Sequence, residues 1–498
     1  MSNGTRDHGR TQLMLADRIN QKLAVAVVAT AATFIVVLDT TIVNVSVPTI
    51  GRDFHVGAAS VDSVAIGFLV SLAVVMPASG WLGDRFGNKR IMLLATTVFT
   101  LASALCGASE NLGQLVLFRI LQGAGGGLLM PIGMAMLFHA FPPSERIRVA
   151  AIMVVPTALA PALGPVIGGL FTTDLSWRWV FYVNVPIGVA AIIFGALFLG
   201  DPRQDNPGRF DVSGFVLAGA GLSLLMFGVS EGPAKGWSDP LVIAACVAGV
   251  AGLAVMAVVE LHKQEPMLDL RLYANRLFRS TLTAVTLMSI SFFGAVYLVA
   301  LFYQYGLGYS ALDSGLLVFP QAIGIFTGGQ LVTRGLYRRF GPRRIMFAGA
   351  LLTASMMALL SSVGPDTSVW VIRSISFLLG MGMSGIFLPS QTASFATVPP
   401  ARIARGTTLF QSQQRLGAAL GVAGITTVAT AVGTTHMVGG HVEPNLTAYR
   451  VGLLSAALVM LGTALAALYV SDADAAETMS RGRQEEVAIM ETEALGSA

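Results

Sequence analysis

The sequence predicts an all-α membrane protein with fourteen spanning helices: two related six-helix bundles and two further helices inserted between them. Three observations lead there. Of the 498 residues, 54% are hydrophobic and only 12% are charged, and the mean hydropathy is +0.71. The apolar residues gather in runs of roughly 20, the length that crosses a bilayer. A short basic turn occurs twice, as FGNKRIM at Phe86–Met92 and as FGPRRIM at Phe340–Met346.

The apolar runs decide the helical class. Only helices and closed barrels satisfy their backbone hydrogen bonds in lipid, and uninterrupted runs favour helices over the short alternating strands of a barrel. The predicted spans lie at roughly 23–49, 61–82, 91–109, 113–138, 149–172, 180–199, 212–230, 240–260, 280–303, 314–333, 345–363, 369–393, 407–433 and 450–470.

The repeated turn divides the chain into halves. The two copies are 254 positions apart, and each is followed, 29 residues after its last arginine, by a lone arginine in an apolar run, Arg119 or Arg373. Because this offset spans eight predicted helices, two of them are an insertion. We therefore predict a tail at 1–22, a first bundle at 23–199, an inserted pair at 200–279, a second bundle at 280–470 and a tail at 471–498.

The basic residues predict the orientation. Of the 31 Lys and Arg, three lie inside runs, four lie in one set of loops and the remaining 24 lie in the other set and the tails. By the positive-inside rule, both termini are expected in the cytoplasm. The same rule explains the pI of about 9.2 without nucleic-acid binding. The acidic tail after about 471 is expected to be disordered.

The composition points to transport without a cofactor. No ATP-binding motif occurs, so a proton gradient is the expected source of energy. The two cysteines lie in apolar runs, and no metal site is predicted. A membrane enzyme or sensor would need a cluster of His, Asp or Cys, but the six histidines are scattered. The protein is therefore not expected to be an enzyme.

Asp39 and Arg119 are the predicted proton-coupling residues. A charge at the membrane centre costs roughly 2.5–3.5 kcal/mol on insertion scales and usually serves a function. At 1.5 Å per residue, Asp39 lies about 24 Å from the cytoplasmic end of its helix, and Arg119 about 9 Å from the outer end of its own. In a core about 30 Å thick, the two fall at similar heights and are expected to interact. A helix-packing contact is the alternative.

The loop before the first basic turn is a predicted conformational latch. Two glycines permit close approach and unusual turns, and an acid between glycine and arginine is more than a positive-inside turn requires. The latch residues are Gly83, Asp84, Arg85, Gly87 and Arg90.

Proline and glycine crowd the fifth predicted span. Proline removes a backbone hydrogen bond and kinks a helix, and small residues let a neighbouring helix approach. The predicted kink residues are Pro161, Gly164, Pro165, Gly168 and Gly169.

The two halves differ in their membrane acids. The position 254 residues after Asp39 is Phe293, so the coupling acid exists in the first half only. Polar and aromatic residues of the spans are candidates to line a substrate cavity, although such residues more often serve packing. They are Phe34, Asn44, Gln122, Phe292, Tyr297, Arg373 and Phe387.

Several of these segments together resemble the Major Facilitator Superfamily, and within it the fourteen-span drug:proton antiporters that export quaternary ammonium and other hydrophobic compounds. The resemblance covers about 20–470. It rests on the segments Asp39–Pro48, Gly80–Met92, Leu115–Gly127, Gly164–Gly169, Trp177–Gly188 and Asp211–Leu217.

The resemblance implies proton-coupled export of hydrophobic, often cationic compounds by alternating access. The expected partners are small-molecule substrates, protons and the lipid bilayer. We expect a monomer, multi-pass in the cytoplasmic (inner) membrane. The paucity of acids in the later spans argues against dications. Export of one endogenous lipid, siderophore or metabolite remains the alternative, and the resemblance leaves open whether a periplasmic adaptor takes part.

Overall fold

The computed structural model shows a chain that is helical over nearly all of its described length. The structure describes residues 4–56, 61, 63–147, 160, 163–164, 167–200, 210–263, 266–399, 402–438 and 441–479. The first bundle contains α1 (Gly4–Asp53), α2 (Ser63–Val75), α3 (Ser79–Phe86), α4 (Asn88–Gly107), α5 (Leu112–Ala140), α6 (Trp179–Tyr182) and α7 (Asn184–Phe198).

The inserted pair and the second bundle follow in order. They contain α8 (Val212–Lys235), α9 (Pro240–His262), α10 (Arg276–Leu301), α11 (Ala311–Leu331), α12 (Tyr337–Leu360), α13 (Val369–Ser394), α14 (Ile403–Val432), α15 (Leu446–Ala467) and the short α16 (Ala476–Met479). Two antiparallel strands, β1 (Thr435–Val438) and β2 (His441–Pro444), form a hairpin after α14 that the sequence analysis did not foresee.

Twelve helical stretches of the described chain are long and apolar enough to cross a membrane. The 48-residue stretch Asp313–Leu360 covers two predicted spans, because it is kinked at Gly335 and Gly341. The fifth predicted span, 149–172, lies mostly outside the described residues. Each of the other eleven stretches matches one predicted span.

Glycines let the helices approach at backbone distance. A Cβ on Gly123 of α5 would lie 2.3 Å from the Phe68 carbonyl oxygen of α2. In the second half, a Cβ on Gly380 of α13 would lie 2.0 Å from the Gln321 carbonyl oxygen of α11. Without a hydrophobic force between helices in lipid, this close packing is what holds the bundles together.

The repeated turn has the same backbone conformation in both copies. Gly87 and Gly341 occupy left-handed φ values of 92° and 74°. A side chain is strained there, so both positions need glycine. The sequence repeat is thus a structural repeat.

Both predicted tails are partly built into helices. α1 begins at Gly4, well inside the predicted tail 1–22. The expectation of disorder after about 471 is wrong for the described residues 471–479. The Thr478 and Tyr337 hydroxyls lie 2.7 Å apart, and the Arg343 N–H donates to Asp472 at 2.9 Å.

The two halves meet at the end of the bundle that carries α3 and α16, which we call the terminal end. There the Ser79 and Thr408 hydroxyls lie 2.9 Å apart, and Arg146 donates to the Phe395 carbonyl at 2.8 Å. The inserted helix α8 packs against α2 of the first half and α14 of the second.

Candidate functional site: a buried carboxylate and its donors

Asp39 and Arg119 form an ion pair inside the first bundle. Arg119 Nη1 lies 2.5 Å from Asp39 Oδ2, and the two residues are 1% and 0% exposed. Asp39 comes from the last third of α1 and Arg119 is the eighth residue of α5, at the similar heights that helix geometry predicted. A buried pair this close is retained only when further hydrogen bonds satisfy its remaining atoms.

Two amides supply those bonds to the carboxylate. Gln122 Nε2 donates to Asp39 Oδ1 at 2.8 Å, and Asn184 Nδ2 donates to the same oxygen at 3.0 Å. Both amides also donate to the Ser103 hydroxyl, at 3.1 and 3.2 Å. Asp39 therefore accepts from one guanidinium and two amides, a set that suits its ionised form.

Arg119 also makes hydrogen bonds and a ring contact with residues other than Asp39. Its Nε donates to the Val64 carbonyl at 3.2 Å, and its Nη1 donates to Gln122 Oε1 at 2.7 Å. The guanidinium carbon lies 4.1 Å from the ring centroid of Phe68. These contacts anchor Arg119 on α2 and α5 independently of Asp39, so the pair can loosen without releasing the arginine.

Gln122 and Asn184 correct the sequence analysis in different ways. Gln122 was predicted to line a substrate cavity, but it is 0% exposed and belongs to the Asp39 cluster. Asn184 lies in the segment Trp177–Gly188 that supports the family resemblance, but it was not predicted as a site residue. The sequence feature that could have indicated its role is a polar amide at the start of the apolar run 184–198. A buried amide needs a hydrogen-bond partner.

The predicted latch residues lie beside the second half. Gly83 and Asp84 lie in the helix α3 and not in a loop as predicted, and a Cβ on Gly83 would lie 2.3 Å from Asn88 Oδ1, which would have to move. Asp84 is 7% exposed and faces the positive charge of Arg405 at the start of α14. Arg85 and Arg90 are exposed. Asp84 thus faces the second half, while the role of these residues as a latch stays a prediction.

The described part of the fifth span packs on α1 next to Asp39. A Cβ on Gly164 would lie 2.4 Å from Thr41 Oγ1, and Thr41 Oγ1 donates to the Ala160 carbonyl at 3.1 Å. The Gly168 carbonyl accepts from Thr172, whereas a Cβ on Gly169 would meet nothing within 4 Å. Pro161 and Pro165, and with them the predicted kink, lie outside the described residues.

The predicted cavity residues do not form one pocket. Phe292 lines a narrow cavity inside the second half with Val318 and Leu379. Arg373 is half-buried and stacks on Trp370, which is 72% exposed, so it is no counterpart of the buried Arg119. The remaining members scatter: Phe34 and Phe387 are half-buried, Tyr297 is 45% exposed, and the side chain of Asn44 lies outside the described structure.

Polar residues also lie where the halves meet. Gln391 of α13 donates to the sulfur of Met134 at 3.2 Å, and Arg415 of α14 donates to the sulfur of Met130 at 2.8 Å. Arg415 is one of the three basic residues inside predicted spans, and its sequence position predicted no role for it. Within the described chain, no group of His, Cys, Asp or Glu could hold a metal ion.

The chain is similar to known membrane transporters. The family model described as Major Facilitator Superfamily matches residues 29–422. The multidrug resistance protein B homolog of Mycobacterium tuberculosis is 33% identical over 405 residues, 80% of this chain and 75% of that protein. The puromycin resistance protein pur8 of Streptomyces alboniger is 32% identical over 456 residues, 90% of each chain.

Solved structures show the same fold. The human organic anion transporter MFSD10 superposes with a TM-score of 0.61 at 15% identity, over 90% of this chain and 99% of that one. The proton:xylose symporter XylE superposes with a TM-score of 0.58 at 14% identity, over 89% and 94% of the two chains. With the family match over most of its length, this chain belongs to the Major Facilitator Superfamily and is a multi-pass membrane transporter, not an enzyme.

Proposed function

We propose that the protein is a proton-coupled exporter of hydrophobic drugs and toxic compounds across the cytoplasmic membrane. The observation that carries the proposal is the buried Asp39–Arg119 pair with its two amide donors. Resistance and export appear in the names of its relatives: a multidrug resistance protein B homolog, a tetracenomycin C resistance and export protein and a puromycin resistance protein. We further propose fourteen spans, cytoplasmic termini and a monomer that works without a cofactor.

The cluster suggests how a proton drives the cycle. While Asp39 is ionised, it holds Arg119, Gln122 and Asn184 together across α1, α5 and α7. Protonation removes the negative charge and turns one carboxyl oxygen into a donor, so the ion pair and one amide bond weaken. The helices then shift, and the halves exchange their access between the two sides of the membrane.

Gly164 connects this switch to the fifth span. It lies against Thr41, two residues after Asp39 on α1, with no room for a side chain. A small movement of α1 therefore presses directly on the fifth span. In a close-packed interior such a shift is transmitted rather than absorbed.

The test is transport by purified protein in proteoliposomes under an imposed pH gradient, with ethidium, a quaternary ammonium compound and a fluorescent lipid as probes. Asp39→Asn keeps the size of the side chain but cannot take up a proton. We expect it to abolish proton-driven movement of the drug probes while leaving their binding measurable. Movement of the lipid alone by the wild type would instead favour an exporter of an endogenous lipid.

Asp53→Asn is the matched control. Asp53 ends the same helix, in a half-exposed ion pair with Arg178 at 3.5 Å. Exposed pairs contribute little, about 0–1 kcal/mol, so this variant should transport normally. Full proton-driven transport by Asp39→Asn would refute the coupling role.

A further inference from the structure

Arg415 lies deep in the membrane-spanning part of the second half. It is the thirteenth residue of α14, which starts at Ile403 at the terminal end. At 1.5 Å per residue, it is about 18 Å from that start, near the middle of a core about 30 Å thick. An arginine at that depth is costly and marks a functional site by default.

The side chain points toward the first half. Its Nη2 lies 2.8 Å from the sulfur of Met130 in α5. Thr407 lies eight residues before Arg415 on α14. Its hydroxyl donates to the carbonyl of Pro131, which like Met130 belongs to α5, at 3.4 Å. Positions 407, 411 and 415 share one face of α14, since residues four apart stack along a helix. This face is the surface that the second half presents to the first.

Among the residues that the structure describes, no carboxylate forms an ion pair with Arg415. In the described parts of the chain, every ion pair joins other residues, and the mid-membrane acid Asp39 is held by Arg119. A thioether is only a weak acceptor for a guanidinium with five donors. The residue is half-buried, and its guanidinium lies on the face of α14 that is turned toward the first half.

Neighbouring polar atoms on the same helix are also unpaired. Gln411 Oε1 and Ser412 Oγ are buried and, so far as the structure describes the chain, have no hydrogen-bond partner. Gln411 precedes Arg415 by one helical turn on the same face. A cation, a carbonyl and a hydroxyl therefore lie close together between the halves, where an alternating-access transporter holds its substrate.

We propose that Arg415 is the counter-charge for an acidic group on the transported compound, so that amphiphilic anions are preferred over permanent cations. The inference rests on the proposed export function and narrows its substrate class. It departs from the cationic substrates that the family resemblance implies, because a fixed positive charge in the path repels them. A carboxylate or sulfonate would also satisfy the guanidinium bidentately.

The test compares two dyes that share a xanthene ring system, anionic fluorescein and a cationic rhodamine ester. Their binding to detergent-solubilised wild type, Arg415→Gln and Arg415→Lys is measured by fluorescence polarisation, and their transport is measured in proteoliposomes. We expect the wild type to bind fluorescein more tightly. Arg415→Gln should weaken that binding about tenfold or more and leave rhodamine binding equal or tighter, whereas Arg415→Lys should retain most of it.

Arg279→Gln is the control, since it removes an exposed arginine at the start of α10 and should change neither affinity. Tighter binding of rhodamine by the wild type, binding of neither dye, or equal losses for both dyes in Arg415→Gln would overturn the inference. Binding with the expected preference but no proton-driven movement of either dye would refute the export function and leave the charge preference standing.

Discussion

Asp39 accepts from three side chains that come from two other helices. These donors hold neighbouring helices against α1. Moving one donor would loosen the site, and Asn184 is the one that belongs to a different helix from Arg119 and Gln122. How easily the site loosens therefore depends on how tightly the packing around α1 fixes these donors.

Gly164 offers a sharp test of that packing. Gly164→Ala places a methyl group 2.4 Å from Thr41 Oγ1, and overpacking of this kind costs about 1–3 kcal/mol. We expect a lower apparent melting temperature in detergent and slower transport. Gly169→Ala is the matched control, because its methyl group meets nothing within 4 Å and alanine favours the helix by up to about 1 kcal/mol. Equal melting temperatures for the two variants would contradict the tight contact.

At the scale of elements, the inserted pair is closed at one end by a polar junction. Asp211 caps α8 by accepting from the Gly214 N–H at 2.7 Å, and Lys263 bonds the same carboxylate. Burial alone would raise the pKa of Asp211, but the hydrogen bonds from Lys263 and Gly214 outweigh it and hold the pKa below its ordinary value. Glu260 of α9 is 1% exposed and lies beside Asp211, and the oxygens Glu260 Oε1 and Asp211 Oδ2 are buried with no other partner in the described chain. Two carboxyl groups bond each other only when one carries a proton.

The junction predicts different outcomes for two changes at Glu260. In Glu260→Gln the amide donates to Asp211 while its oxygen accepts from the Leu268 N–H, so we expect the melting temperature to be kept. Glu260→Ala leaves Asp211 and Leu268 with unmatched buried groups, at about 1–3 kcal/mol each, and should lower it by several degrees.

Glu231→Gln provides the comparison for this pair of variants. Glu231 belongs to the same inserted pair, in an i,i+4 ion pair with Lys235, and such pairs contribute about 0.3–0.5 kcal/mol. Its loss should be barely measurable. A Glu260→Gln protein as unstable as Glu260→Ala would show that no proton is shared at the junction.

The two basic turns show how far sequence reasoning reaches. Their repetition predicted two halves, and the left-handed glycines confirm the structural repeat. The second copy has no counterpart of Asp84 in its own sequence. An acid from another part of the chain contacts it instead. Asp472 from the chain's far end accepts from the Arg343 N–H. The sequence could not reveal this partner, since it lies 129 positions away and in a segment whose composition predicted disorder.

The candidate functional site also contains residues that the sequence predicted and residues that it did not. Asp39 and Arg119 were predicted to be neighbours because depth in a membrane can be counted along each helix. Asn184 and Arg415 were missed as site residues because their importance depends on which way each side chain points around its helix. Periodicity settles such a direction only where polar and apolar faces differ, and helices that are apolar all round give no such contrast.

For the molecule as a whole, hydrogen bonds join the halves at the terminal end and as far as the middle of the described bundle. They run from Ser79–Thr408 at the terminal end to Met130–Arg415. Phe138 and Phe395 also meet there, with ring centroids 4.9 Å apart. The halves are thus in contact at the terminal end, and alternating access requires these contacts to break in every cycle.

A reversible cross-link at Ser79 and Thr408 tests that requirement. Their hydroxyls lie 2.9 Å apart, so cysteines placed at both positions are close enough to form a disulfide. The native Cys106 and Cys246 are replaced by alanine first, so that only the new pair can be oxidised. We expect oxidation to stop transport in the double-cysteine protein and a reductant to restore it, while the Ser79→Cys protein alone is unaffected by either reagent. Transport at the full rate by the oxidised, cross-linked protein would mean that the terminal end stays closed during the cycle, and alternating access between these two halves would have to be abandoned.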